Sequence, residues 1–377
     1  MTDAITDWLC PDRLFDGQSL RRGMALGICG GRVTAVMPVS DITGGRAVIG
    51  TISPGYIDLQ VNGGGDVLLN ASPTAAGMAV IAAAHRRFGT VGILPTVITD
   101  ASEVLAAAVE AALEAQGMPG ILGLHIEGPH LSQARRGTHA ARFVRAMDAT
   151  TLAHVRRLRD AGIAVMITVA PEGVQPGQIA ALATMGAVVS LGHSDATAET
   201  VRAALDEGAS CFTHLFNAMS PMLNRAAGVT GACINSTAYA GIICDGHHVA
   251  DEMVGLAIRA RPVPERMFLV SDAMSTVGGS DRFTLYGEEV RLVGGRLVNA
   301  EGSLAGAHVT MAESVARLIN VVGVAPDVAL RMAVTVPAAV IGAQAGVIGR
   351  PLADLIVLDA GWAVTGTCAD AVKGLAA

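Results

Sequence analysis

Four apolar runs in this chain end on a carboxylate or an imidazole, and that pattern limits the possible folds more than any other feature. They read ILGLHIEGPH over 121–130, AVVSLGHS over 187–194, CFTHLFNAM over 211–219 and MFLVSDAM over 267–274, and they deliver Glu127, His193, His214 and Asp272. Short apolar runs of this kind, alternating with helical patterns, suit strands of a parallel sheet buried on both faces. A parallel βα barrel collects its active-site side chains at the C-terminal ends of its strands, and all four residues fall at such ends.

The spacing predicts eight strands, at 56–62, 91–99, 121–127, 165–172, 187–193, 210–216, 240–246 and 267–273, the number a TIM barrel requires. Ala-rich helical patterns such as TAAGMAVIAAAHRRFG, SEVLAAAVEAALEAQG and TAETVRAALDEG lie between them. Residues 1–53 differ, with short β-prone runs broken by Gly-containing turns. After the eighth strand, residues 281–306 read as a hairpin excursion. Helices at about 308–322 and 326–335 then complete the barrel, and 344–359 turns β-like again. The expectation is an α/β chain of 377 residues: a (β/α)8 barrel over 54–343, and a small β-sandwich domain built from 1–53 and 344–377.

Charge and cysteine usage exclude several function classes. Lys+Arg 26 against Asp+Glu 33 gives a net charge of −7, and no basic run occurs, so a nucleic-acid partner is not expected. Six cysteines occur without a C-x-x-C pair, which reads as free thiols in a reducing compartment. No basic segment precedes an apolar one at the N-terminus, and apolar stretches stay shorter than about 18 residues. The expectation is a cytoplasmic protein with a small-molecule substrate and no membrane span.

Two His and one Glu at strand ends suit a catalytic zinc-type ion, and a further Asp beside them suits a general base. Glu127 is followed by Gly-Pro, which cannot continue a ladder; its plainer role would be to cap the next helix. Ser194 or Asp195 can cap the helix that begins near Ala198, which leaves His193 free to bind metal. His214 repeats the pattern one βα unit later. Asp272 is the only carboxylate in its run, and its alternative is a salt-bridged core acid. His247 and His248 are neighbours that cannot face the same way, so one should line the pocket. His139, in the loop after the Glu127 strand, and Arg225, an isolated cation in PMLNRAAG, are further candidates; a substrate phosphate would suit the Arg. Two-metal barrel hydrolases commonly place H-x-H on the first strand. Here Gln60 and Asn62 stand there, neutral amides that are poor ligands, so one metal ion is expected.

The segments PGYIDLQVNGGGD, LGLHIEGPHLSQARRGTH, SLGHSDAT, THLFNAM, ICDGHHV, LVSDAM and GSLAGAHVTM together resemble the N-acetylglucosamine-6-phosphate deacetylases of the amidohydrolase superfamily. The resemblance runs in order from about residue 20 to 359. It implies a distorted TIM barrel with a small β-sandwich domain from both termini, and a homodimer. Carried over motif by motif, it makes Glu127, His193 and His214 ligands of one divalent ion (zinc, iron or cobalt) and Asp272 the catalytic acid/base. Thr138 and His139, Asn217 and Ala218, Asp245 and His248, and the Leu304-Ala305-Gly306 turn would line the sugar site, with Gln60 and Asn62 as possible pocket residues. Arg225 fills the position that grips the phosphate across the dimer. The implied reaction is deacetylation of N-acetyl-D-glucosamine 6-phosphate in amino sugar catabolism. The rivals are the galactosamine epimer, another N-acyl amide, or an inactive barrel scaffold. Three departures stand out. Arg225-Ala226-Ala227-Gly228 replaces Arg-Glu-Pro-Gly, His130 replaces a large aromatic in a position expected to shape the pocket wall, and the C-terminus lacks a final strand with an Asn-Gly turn, which points to a trimmed small domain.

Overall fold

The computed structural model describes residues 5–300, 302 and 304–374, and its largest sheet holds eight parallel strands paired in chain order. They are Tyr56–Val61, Thr90–Ile98, Gly123–Glu127, Ala164–Val169, Val188–Leu191, Cys211–Phe212, Tyr239–Ile242 and Met267–Leu269. All eight expected strands are present, and several stop earlier than the apolar runs suggest. The cause is local: His193, His214 and Asp272 have φ of 48°, 29° and 52°, a left-handed backbone that breaks the ladder just past the paired segment. The barrel closes beyond its regular strands. The Asp272 N–H donates to the Gln60 carbonyl at 3.0 Å and the Asn62 N–H to the Ala273 carbonyl at 2.9 Å, joining the eighth strand to the first.

The Ala-rich segments form helices with recognisable starts. Ala75–Arg86 begins behind Thr74, whose hydroxyl accepts the Gly77 N–H at 3.0 Å. Met311–Asn320 carries a full capping box between Thr310 and Glu313. Small side chains such as Ala108, Ala111, Ala112 and Ala115 let the second helix, Ser102–Glu114, lie close against the barrel wall. The expected helix at 326–335 runs further, as Pro326–Leu330, a π-helical turn at Arg331–Thr335, and Val336–Ile341. The excursion after the eighth strand is a three-stranded antiparallel unit, Arg282–Leu285, Glu288–Val293 and Arg296–Val298. No described helix is long and apolar enough to cross a membrane.

A second, mixed sheet joins the two ends of the chain. Leu355–Leu358 pairs antiparallel with Arg46–Pro54, which in turn pairs parallel with Asp7–Phe15; Met24–Cys29 and Arg32–Pro38 extend the sheet. Alternation along these strands buries Leu9, Leu26, Ile52, Leu355 and Val357 in a separate apolar core. The expectation of a missing final strand is corrected. Val364–Thr367 pairs antiparallel with Leu355–Leu358. Its tight return is made by Asp359, whose Oδ1 accepts the Gly361 and Ala363 N–H groups at 2.8 and 2.9 Å, in place of an Asn-Gly turn. Ile52 is fully buried in this core. Ile52→Ala should lower the unfolding free energy by about 2–5 kcal/mol. Urea denaturation checks this, and a loss below about 1 kcal/mol would mean the small sheet unfolds separately from the barrel.

Candidate active site

Three buried side chains converge at the barrel mouth. Glu127 Oε1 lies 3.3 Å from His193 Nε2 and 3.2 Å from His214 Nε2, and the two Nε2 atoms are 3.0 Å apart. His193 Nδ1 donates to the Arg135 carbonyl at 2.9 Å, so in the neutral ring Nε2 turns a lone pair toward the trio. Two imidazole nitrogens and a carboxylate oxygen packed this tightly require a proton or a cation among them. Ligand atoms around a tetrahedral ion with bonds of about 2.0–2.1 Å stand roughly 3.3–3.4 Å apart, so the spacing fits a divalent ion. His139 also comes within 4.8 Å of Glu127 and His193. The Glu127–His193–His214 triangle is the tighter grouping.

Asp272 faces this trio from the eighth strand. Its Oδ1 accepts from Asn62 Nδ2 at 2.7 Å and Gln60 Nε2 at 3.2 Å, and the same Gln60 Nε2 donates to Glu127 Oε1 at 2.9 Å. A neutral amide therefore bridges the two acids. The carboxylates are driven apart electrostatically. Burial and the nearby Glu127 charge push Asp272 up to about 6. Burial also works against Glu127 ionisation, but hydrogen bonds and charge from His193 and His214 hold that acid well below its ordinary range. The two pKa values are pushed in opposite directions, the separation that acid–base sites use. His214 experiences the counterpart: burial opposes its charge, and Glu127 raises its pKa.

The trio and Asp272 line a cavity of 160 Å³ together with Asn62, Thr138, His139, Asn217, Ala218, His248, Leu304 and Gly306. Burial, with the His193 ring nearby, pushes His139 down to about 3, so it is neutral. The Thr99 N–H is directed at His139 Nδ1 at 3.4 Å and the Thr99 hydroxyl lies 2.8 Å away. The N–H can only donate, so accepting it leaves Nδ1 unprotonated and the ring proton on Nε2, while the hydroxyl is also directed at the Glu127 carbonyl at 3.3 Å. His248 lines the cavity and His247 is exposed. Asp245 stands behind His248, accepting from its Nδ1 at 2.6 Å, and does not line the cavity itself. Ala305 is buried beneath the Leu304–Gly306 turn. Arg225 lies exposed on its loop, outside this chain's cavity. His130, expected to shape the pocket wall, instead braces the following loop: its ring nitrogens meet the Arg145 carbonyl at 3.1 Å and Thr151 Oγ1 at 3.0 Å.

Sequence reasoning passed over Ile98, Gly137 and Met274, which also line the cavity. Each had a signal. Ile98 ends the second barrel strand, Gly137 belongs to the same Gly-Thr-His motif as His139, and Met274 follows Asp272 by two residues. Thr99 carried none, because its part in orienting His139 depends on a contact 40 residues away in sequence.

No protein-family model matches the chain. Curated relatives do. An N-acetylgalactosamine-6-phosphate deacetylase of Shewanella sp. (strain ANA-3) is 43% identical over 298 residues, 78% of this chain and 75% of that one. An N-acetylglucosamine-6-phosphate deacetylase of Haemophilus influenzae is 31% identical over 359 residues, 92% of this chain and 93% of its own. Among solved structures, the N-acetylglucosamine-6-phosphate deacetylase of Pasteurella multocida superposes with a TM-score of 0.88 at 33% identity, covering 96% of this chain and 97% of that one. With this identity over most of its length, and with the barrel and buried Glu–His–His group already described, the chain belongs to the N-acetylglucosamine/N-acetylgalactosamine-6-phosphate deacetylases of the amidohydrolase superfamily.

Proposed function

We propose that this enzyme hydrolyses the acetamido group of N-acetyl-D-glucosamine 6-phosphate to D-glucosamine 6-phosphate and acetate, in cytoplasmic amino sugar catabolism. The observation that carries the reading is the Glu127–His193–His214 triangle facing a carboxylate of raised pKa. Glu127, His193 and His214 hold one divalent ion per subunit (zinc, iron(II) or cobalt), which when bound acidifies water and polarises the acetyl carbonyl. Asp272 takes the proton of the attacking water as its oxygen bonds to the carbonyl carbon. His139, neutral and protonated on Nε2, donates to the acetyl oxygen as negative charge develops there. The C–N bond then breaks, and the proton held by Asp272 passes to the departing amine nitrogen. Asn62 and Gln60 keep the Asp272 carboxylate aimed through both steps. Asn217, Ala218 and His248 orient the sugar, with Asp245 fixing the His248 ring. Arg225 of a second copy in a homodimer grips the phosphate, a task suited to a planar guanidinium.

The 43% identity to the Shewanella protein favours a second reading, the galacto epimer, which differs in the direction of one hydroxyl. Acetate release from N-acetylglucosamine 6-phosphate, its galacto epimer and unphosphorylated N-acetylglucosamine, with metal content on the same sample, tests both. The expected outcome is highest kcat/KM on the phosphorylated gluco sugar, at least roughly tenfold above the unphosphorylated one, with about one ion per chain. A higher value on the galacto epimer moves the assignment to that sugar, and no acetate from any of the three overturns the reading.

Asp272→Asn should retain the metal and lower kcat by about 10²–10⁴-fold; rates near wild type would remove Asp272 from the mechanism. The sign of the pH dependence follows from its role as a base. Asp272 must be ionised to accept a proton, so kcat/KM falls as pH drops through its pKa. Its carboxyl is pushed up to about 6, and a bound cation nearby pulls it down. The acid limb therefore lies at or below about pH 6. Residual activity of Asp272→Asn should lack that limb.

A further inference from the structure

A second cavity, of 480 Å³, lies between the loop 136–142 and Leu285, Tyr286, Glu288, Val290, Asn299 and Leu304 of the excursion after the eighth strand. Gly137, Thr138 and Leu304 line both this cavity and the catalytic one, so the two share a wall. Two guanidinium groups, Arg136 and Arg142, stand on its rim against one described carboxylate, Glu288. Among the described residues neither Arg has a carboxylate partner. Arg136 Nη1 donates to the carbonyls of Gly137 at 3.3 Å and His139 at 2.9 Å. The Arg142 guanidinium stacks 4.6 Å from the Phe143 ring centre and 5.8 Å from that of Tyr286. Such stacking holds a guanidinium in place while its N–H edge remains free to bind an anion.

We propose that this cavity is an anion subsite, gripped chiefly by Arg142, for a second negatively charged substituent on the sugar. The inference rests on the proposed deacetylase reading, which sets the acetamido group beside His139. Thr138 is the residue before His139, so a group reaching this cavity leaves the ring next to the acetamido carbon, at C1 or C3. A phosphate at C1 or a carboxyalkyl ether at O3 has the required charge, and either pairs with a guanidinium through charge-assisted hydrogen bonds.

Steady-state kinetics on the full-length metal-loaded enzyme tests this. The substrates are N-acetylglucosamine 6-phosphate, the 1,6-bisphosphate and the 3-O-carboxyethyl 6-phosphate, and inorganic phosphate serves as a competing anion. At least one of the doubly charged sugars should show a KM roughly tenfold below that of the monophosphate, the value of one charge-assisted contact. Arg142→Ala should abolish that advantage and leave the monophosphate kcat and KM unchanged, while Arg142→Lys restores part of it. No KM advantage for either sugar, or an advantage that survives Arg142→Ala, overturns the proposal. Inhibition by inorganic phosphate that depends on Arg142, with no gain for either sugar, also overturns it, in favour of a free-anion site. The monophosphate turnover of wild type tests the deacetylase reading by itself. If that fails, calorimetric binding of the doubly charged sugars to wild type and Arg142→Ala decides the subsite independently.

Discussion

An ionised carboxylate only 2% exposed is the constraint on which the rest of the barrel mouth depends. Burying Glu127 in its charged form is strongly unfavourable unless positive charge and hydrogen-bond donors surround it. The fold supplies them from three separate strands: two imidazoles within 3.3 Å, and the Gln60 amide at 2.9 Å from the first strand. Removing any one of them leaves part of the charge uncompensated. A divalent ion completes the same compensation more fully than a shared proton can, which ties metal affinity to the stability of the mouth.

Delivering those groups requires strained backbone. His193, His214 and Asp272 all take left-handed φ, a conformation that costs non-glycine residues about 1–3 kcal/mol each. Neighbouring hydrogen bonds hold them there. The His193 carbonyl accepts the Ser132 N–H at 2.9 Å, the His214 carbonyl accepts the Asn217 N–H at 3.0 Å, and the Asp272 carbonyl accepts the Ala307 N–H at 3.0 Å. The consequence is a sharp turn at each strand end that sends the side chain across the mouth, where a continuing strand would have carried it along the wall. Sites placed on such pre-set turns lose little conformational freedom when substrate binds.

Gln60 and Asn62 explain how two acids of opposite proton affinity coexist in one small cavity. Their N–H groups satisfy Asp272 without adding charge, so burial and the Glu127 field still raise its pKa. A cation in the amides' position would have lowered both carboxylates together. The amides thus hold Asp272 in place and leave its pKa raised. Beneath them a further layer of polar groups is fully paired: His125 Nε2 meets Thr168 Oγ1 at 2.8 Å, and Thr213 links Thr168 to Ser190 at 2.6 and 2.7 Å. Buried networks satisfied in this way rigidify the wall on which the site stands.

The sequence by itself determined the eight strands and the placing of Glu127, His193, His214 and Asp272 at their ends, because apolar runs and their polar terminators are local patterns set by burial. It also determined the neutral character of the first-strand pair, Gln60 and Asn62. Only the tertiary structure decided where the runs stop being strands, since the left-handed turns at His193 and Asp272 are held by contacts from other βα units, Ser132 and Gln60. Tertiary contact likewise set the His139 tautomer through Thr99, moved Asp245 behind His248, and turned His130 from an expected pocket wall into a loop brace. The final strand, Val364–Thr367, lacked its usual turn residues and exists because Leu355–Leu358 offers it an edge and Asp359 closes the return. The cationic rim of Arg136 and Arg142 was legible only as two loop arginines. Its meaning came from the hairpin that folds against it, more than 140 residues away in sequence.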